Sequence, residues 1–356
     1  MRTFTCNLLP SRVLFGSGMR NHLADELQTL GLQRVLVLST PGRHTLARSI
    51  ASNLGVRSAG IYAQAAMHAP VAITEAALRS AAALRIDGLV AVGGGSAIGL
   101  GKAIAARTSL PQLVLPTTYA GSEMTPIFGE TKDGVKATRA DPKVQPRVVV
   151  YDVDLTLTLS AKTSAASGMN AIAHAVEALY ARDHNPVTSL LASEGIRVMA
   201  RALPGITGQQ GEGAARFDAL YGAWLCGICL GSVGMALHHK LCHALGGAFD
   251  LPHAETHAIV LPHVLAYNWP CIPEAIDELQ AILGDDPALA LFELAGRAGV
   301  PRALNLLGMP EAGIDLVATR TLENPYWNPR PLEYAGLRSL LQRAWAGEPP
   351  ASASRE

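Results

Sequence analysis

Gly88-Leu89-Val90-Ala91-Val92-Gly93-Gly94-Gly95-Ser96 is the stretch on which the reading of the fold turns. Gly88–Val92 carries no charge and no alternating polar position. That is the pattern of a strand buried on both faces, as in a parallel sheet covered by helices. Three glycines and a serine close the strand, and Ala97–Arg107 then takes up helical spacing. Such a turn lets backbone N–H groups approach a pyrophosphate, and the helix N-terminus favours its negative charge. The spacing is not G-x-G-x-x-G, whose third glycine would fall on Ile98. Nor is it a Walker A loop. One ending at Gly101-Lys102 would put its first glycine on Ser96 and its closing hydroxyl on Ala103.

The pattern extends both ways. Upstream, Arg34–Ser39 reads as a strand, then Thr40-Pro41-Gly42 and a helix to Leu54. A weaker strand follows at Gly60–Ala63 and a helix at Val71–Leu84. Downstream, Gln112–Leu115 is a strand closing at Pro116, and Phe128–Ala137 and Arg147–Asp152 are further strands. This alternation predicts an α/β N-terminal dinucleotide-binding domain with a parallel sheet. Beyond Leu159 strand signals nearly vanish. Ser164–Arg182, Pro186–Ala202, Ala214–Leu245, Ala275–Leu283 and Pro331–Trp345 are Ala/Leu-rich with helical spacing. An all-α C-terminal domain is expected, with domains at 1–158 and 159–356.

Composition bounds the function. The 356 residues carry 29 Lys+Arg against 29 Asp+Glu, so no basic field for nucleic acid exists. Hydrophobic residues at 49% and charged residues at 16% exclude disorder. Five cysteines, an odd number, fit a reducing compartment and a cytoplasmic protein. Met1–Leu9 has no apolar stretch of signal-peptide length. Ala219–Leu237 lacks charge over a span-like length. Its glycines, and the His238-His239-Lys240 that follow, read as a buried helix in a chain with no membrane partner. Cys226 and Cys229 lie inside that run, where a core role is expected.

A second loop, Pro116-Thr117-Thr118-Tyr119-Ala120-Gly121-Ser122-Glu123, leaves the next strand. Strand C-termini at one edge of a parallel sheet are where ligands bind. Ser39, Thr40, Gly94, Gly95, Ser96, Thr117 and Thr118 are therefore the expected cofactor contacts. The first strand ends in Ser39-Thr40 rather than an acid that would repel a 2′-phosphate, so NADH and NADPH are both expected.

Histidines form the other constellation. His239 and His243 are four apart, as are Asn170 and His174, so each pair shares a helical face, and His253 follows Leu251-Pro252. Two such pairs on facing helices are a way to build a metal site.

Together these motifs resemble the iron-containing (group III) alcohol dehydrogenases. They are the glycine loop, the Pro116-Thr117-Thr118 loop, Gly168-Met169 ahead of His174, and His239 and His243 followed by Pro252-His253. The resemblance runs from about Phe15-Gly16-Ser17-Gly18 to Asn328-Pro329-Arg330-Pro331. It implies a dinucleotide-binding domain, an all-helical domain and an active site in the cleft. The metal-dependent members have an Asp ligand where this chain has Asn170, and the other ligands match His174, His239 and His253. Asn170, Gly99 in the GGGSAIGLGK loop, and the shorter PTTYAGSEMTP loop are instead similar to the maleylacetate reductase branch.

That likeness implies NAD(P)H-dependent reduction of 2-maleylacetate to 3-oxoadipate, with no required metal. A retained ion would use His174, His239 and His253. His243 matches the position proposed for proton transfer and is the expected general acid, with His253 as a second donor. The partner is a small dicarboxylate, met by cations among Lys136, Arg139, Lys162 and Lys240, and the assembly expected is a homodimer. A metal-dependent alcohol dehydrogenase and a lyase like 3-dehydroquinate synthase are the alternatives. Asn170 counts against both.

Overall fold

The computed structural model describes residues 4, 6, 11–132, 135–206 and 212–352. Of the Met1–Leu9 segment read for a leader, only Phe4 and Cys6 fall among them. Contacts divide the chain into a unit from Leu8 to Leu159 and a unit containing Ser160–Glu356.

The first unit is built on a parallel sheet of β1 (Arg12–Gly16), β2 (Val35–Leu38), β3 (Ser58–Tyr62), β4 (Gly88–Gly93), β5 (Gln112–Pro116) and β8 (Val148–Asp152), in the order β1-β8-β5-β4-β2-β3. Its helices are α1 (Leu23–Thr29), α2 (His44–Leu54), α3 (Val71–Leu84) and α4 (Gly95–Thr108). Strand residues alternate between two cores. Val35, Val37, Val90, Val92, Leu113 and Leu115 pack with Leu27, Ile50 and Leu54 of α1 and α2. Leu36, Leu38, Leu89, Ala91 and Val114 pack with Ala77 and Ala81 of α3 and Ile98 and Ile104 of α4. Both faces are therefore apolar, which is why β4 has no polar position.

From β2 the chain goes outward to β3, then returns across β2 to β4. The strand order reverses there, so the carboxyl ends of β2 and β4 flank the switch point. The Phe128–Ala137 strand expected from sequence is instead an antiparallel hairpin, β6 (Ile127–Lys132) and β7 (Val135–Ala140). The stretch Asp133-Gly134 between them is turn chemistry that the single-strand reading overlooked.

The second unit is helical: α5 (Ala161–Tyr180), α6 (Pro186–Ile206), α7 (Glu212–Ser232), α8 (Leu237–Phe249), α9 (His253–Asn268), α10 (Pro273–Leu283), α11 (Pro287–Arg297), α12 (Gly313–Glu323) and α13 (Tyr334–Ala346). From Ser164 onward every residue of α5 is buried. The expected Ala214–Leu245 helix is two helices, α7 and α8, bent by 93° at a short break. Among the described residues no single helix is long and apolar enough to cross a membrane.

Glycines let α5, α6 and α7 pack closely. A Cβ on Gly222 would lie 3.3 Å from the backbone oxygen of Gly195 and from the Met199 nitrogen. One on Gly195 would lie 2.9 Å from Cys226 Sγ. Cys226 and Cys229 are buried free thiols whose pKa values burial pushes up, that of Cys229 to about 12.

Backbone atoms cannot swing aside as a side chain can. Gly222→Val is therefore expected to destabilise the fold by about 2–3 kcal/mol through overpacking. Gly213→Ala, on the same helix with nothing within 4 Å of its added carbon, is expected to be neutral or stabilising by up to about 1 kcal/mol. Urea denaturation of the two variants checks the contrast.

Candidate active site

The glycine loop joins β4 to α4. Gly93 has φ +148, where a side chain is strained, and its oxygen accepts the Thr117 N–H at 3.1 Å, tying this loop to the next. Gly94 is the N-cap of α4, and a Cβ there would lie 2.9 Å from Thr118 Cγ2. Gly95 is exposed, and a Cβ on it would meet nothing within 4 Å. The N–H groups of Gly95 and Ser96 at the start of α4 have no intrahelical partner. They therefore edge open space, which suits a pyrophosphate. Thr117 is buried and Thr118 half-buried. Ser39 is fully buried with its hydroxyl unpartnered, while Thr40 is half-buried at the switch point.

The second loop is pinned from below by Lys102 on α4. Its ammonium donates to the carbonyls of Ser122, Thr125 and Ile127 and to Thr125 Oγ1. Burial drives the Lys102 pKa down to about 7, and Glu123 opposes that. Glu123 in turn accepts from the Tyr151 hydroxyl at 2.9 Å.

The histidine constellation lies within the helical unit. Asn170, His174 and Glu177 share one face of α5, His238, His239 and His243 stand on α8, and His253 and His257 stand on α9. The His239 ring lies 5.1 Å from His174, 5.0 Å from His257 and 6.3 Å from His243, between centroids. The His253 ring is tilted against that of His257, with centroids 4.2 Å apart. The sequence-expected Asn170, His174 and His239 are buried together, with Asn170 Oδ1, His174 Nδ1 and His239 Nε2 unpartnered. His243 and His253 are exposed, and His243 Nδ1 is 3.2 Å from the Tyr326 hydroxyl.

Glu177 organises this group. Its carboxylate is fully buried and accepts the backbone N–H of Ala236 at 2.9 Å, that of His238 at 2.7 Å, and His239 Nδ1 at 2.7 Å. Ala236 is the N-cap of α8 and offers no side-chain cap. Glu177 supplies that cap from another helix, where the helix dipole also favours negative charge. It holds a proton on His239 Nδ1, so the opposite nitrogen presents a lone pair.

Sequence reading missed Glu177, His238 and His257. The His238/Cys242 and His253/His257 pairs at four-residue spacing were the available signal. Burial pushes His174, His238 and His257 well below the usual histidine range, with neighbouring histidines adding to it. All three are neutral at pH 7.

Among the described residues, the ligand atoms that lie within 4.8 Å of one another belong to His238, Cys242 and His257, not to His174, His239 and His253. With a neutral amide at position 170, the family's metal position does not present a closed ligand set. Of the expected cations, Lys240 is half-buried with Nζ 5.6 Å from the Tyr326 ring centroid. Arg139 and Lys162 are exposed, and the Lys136 side chain lies outside the described residues. A cavity of about 410 Å³ beside Tyr180, His184, Cys271 and Trp327 holds none of the candidate site residues.

A switch-point glycine loop on a parallel sheet, followed by a histidine-rich helical unit, defines a class of dinucleotide-dependent oxidoreductases. The chain belongs to the iron-containing alcohol dehydrogenase family. The iron-containing alcohol dehydrogenase model matches residues 10–153, and the C-terminal model of the Fe-containing alcohol dehydrogenase family matches 164–345. Within that family it is similar to the maleylacetate reductase of Rhizobium sp. (strain MTP-10005), at 50% identity over 98% of this chain and 100% of that one. It is 53% identical to the maleylacetate reductase of Sphingobium indicum, over 98% and 99% of the two chains. The crystal structure of maleylacetate reductase from Agrobacterium tumefaciens superposes with a TM-score of 0.95 at 50% identity, covering 98% of this chain and 100% of that one.

Two predictions follow from this geometry. Gly95→Val should leave the fold intact, since its side chain enters open space, yet raise KM for NADH by tenfold or more, about 1.4 kcal/mol or more; steady-state kinetics at varied NADH measures it. Glu177→Gln would turn an amide N–H₂ toward N–H donors. A loss of about 2–4 kcal/mol in stability is expected, read by chemical denaturation.

Proposed function

We propose that this chain is an NAD(P)H-dependent reductase of the carbon–carbon double bond of 2-maleylacetate, yielding 3-oxoadipate in the breakdown of aromatic compounds, and that it works without a metal. Full-length likeness to maleylacetate reductases at about half identity carries the reading. The neutral amide of Asn170 among buried neutral histidines agrees with it.

The double bond of the substrate is conjugated to a ketone. A dinucleotide held by the glycine loop, Thr117 and Thr118 would supply a hydride to the carbon β to that ketone, leaving the substrate as an enolate with charge shared between oxygen and carbon. Such charge is met by hydrogen-bond donors and a proton. His243, held by Tyr326, delivers the proton to the enolate carbon and recovers one from solvent, to which it is exposed. His253 donates to the enolate oxygen. Lys240, three residues before His243 on α8, faces a substrate carboxylate. The glycine loop, Thr117 and Thr118 hold the dinucleotide, and Thr40 in place of an acid admits both NADH and NADPH.

Oxidation of NADH, followed with maleylacetate and in parallel with simple aldehydes, tests the reading. Turnover of maleylacetate is expected to persist after exhaustive chelation. His243→Ala should lower kcat by about two to four orders of magnitude with little change in NADH affinity. Turnover of aldehydes alone, lost on chelation, would replace this reading with a metal-dependent alcohol dehydrogenase.

A further inference from the structure

Beside the histidines assigned above lies a group of donors that the proposed reaction does not use. His238 and Cys242 are one turn apart on α8, and His257 comes from α9. All three are buried, and their ligand atoms lie within 4.8 Å of one another. His238 Nε2 is 3.1 Å from His257 Nδ1 and 3.7 Å from Cys242 Sγ. A tetrahedral zinc ion with bonds of about 2.0–2.1 Å to nitrogen and about 2.3 Å to sulfur has N–N edges of about 3.4 Å and N–S edges of about 3.6 Å. The His238–His257 and His238–Cys242 edges thus lie within a few tenths of an ångström of what such an ion requires, and the third edge is no longer than 4.8 Å.

Hydrogen bonding alone serves these groups poorly. Nε2 of a neutral imidazole offers either one N–H or one lone pair, yet two neighbours converge on it. A cation among them takes one lone pair from each. Burial pushes the Cys242 thiol well above its usual range, so Sγ keeps its proton until a cation displaces it. Ion binding would then convert the thiol to thiolate and release that proton to solvent.

We propose that His238, Cys242 and His257 form a site for a thiolate-accepting divalent d-block cation, zinc being the best match. This site adjoins the position formed by Asn170, His174, His239 and His253 but uses other side chains. A thiolate with two imidazoles favours zinc over the harder oxygen-seeking ions. The ion would cross-link α8 to α9 directly below the helix cap made by Glu177. The ion takes no part in the proposed reaction, so metal found in the protein by elemental analysis need not belong to catalysis.

Cobalt(II) titrated into the chelator-stripped full-length protein tests this. Thiolate ligation gives an intense sulfur-to-cobalt charge-transfer band in the near ultraviolet. The band is expected to saturate at one equivalent, to be displaced by zinc, to vanish in Cys242→Ala and His257→Gln, and to remain in His174→Ala. Absence of the band in the unmodified protein overturns the proposal, whichever variants fold. So does a band that survives Cys242→Ala or disappears in His174→Ala.

Discussion

The buried carboxylate of Glu177 is the contact on which the arrangement of the histidines depends. A fully desolvated charge survives only where donors surround it. Here two donors are the backbone N–H groups that begin α8 and the third is the imidazole of His239. One side chain on α5 thus sets where α8 starts, which way it turns after α7, and which nitrogen of His239 carries a proton. The sharp bend between α7 and α8 follows from this, because the helix must begin afresh at a carboxylate.

Once α8 is fixed, its next turns place His238 and Cys242 on one face and His239 and His243 on another. His239 turns toward α5, His238 and Cys242 toward His257 on α9, and His243 toward Tyr326. Neighbouring side chains of one helix thereby acquire different chemistry. His174, His238 and His257 stay neutral because desolvation and repulsion from neighbouring histidines both oppose protonation. The exposed ones can exchange protons with water. A proton donor therefore belongs on the exposed face, and a lone-pair ligand on the buried one.

The dinucleotide unit reaches its site by a different constraint. A parallel sheet covered on both faces leaves its strand ends as the place where backbone polar groups stay open to a ligand. The outward and return course from β2 to β3 and back to β4 makes a switch point outside the carboxyl ends of β2 and β4. Gly93, Gly94 and Gly95 divide the work there. Gly93 takes a conformation that other residues resist, Gly94 makes room for Thr118, and Gly95 leaves space in front of the helix N-terminus. Lys102 buried beneath the second loop holds that loop to the same helix.

The sequence by itself determined the parallel sheet, the helical second half, the glycine loop and the shared faces of Asn170/His174 and His239/His243. Each of these is written in local periodicity or in short spacing, so no distant contact was needed to see it. The break between α7 and α8 was not legible, because both helices are apolar and the cap that separates them lies some sixty residues away on α5. The hairpin of β6 and β7 was missed although the pair Asp133-Gly134 stood between its strands, since two short strands keep the period of one. In the sequence Glu177 is one acid on an apolar helix, and only folding shows that donors enclose it. Tertiary structure alone decided which histidines are buried and neutral and which meet water, because protonation depends on the surroundings of a ring and not on its place in the chain.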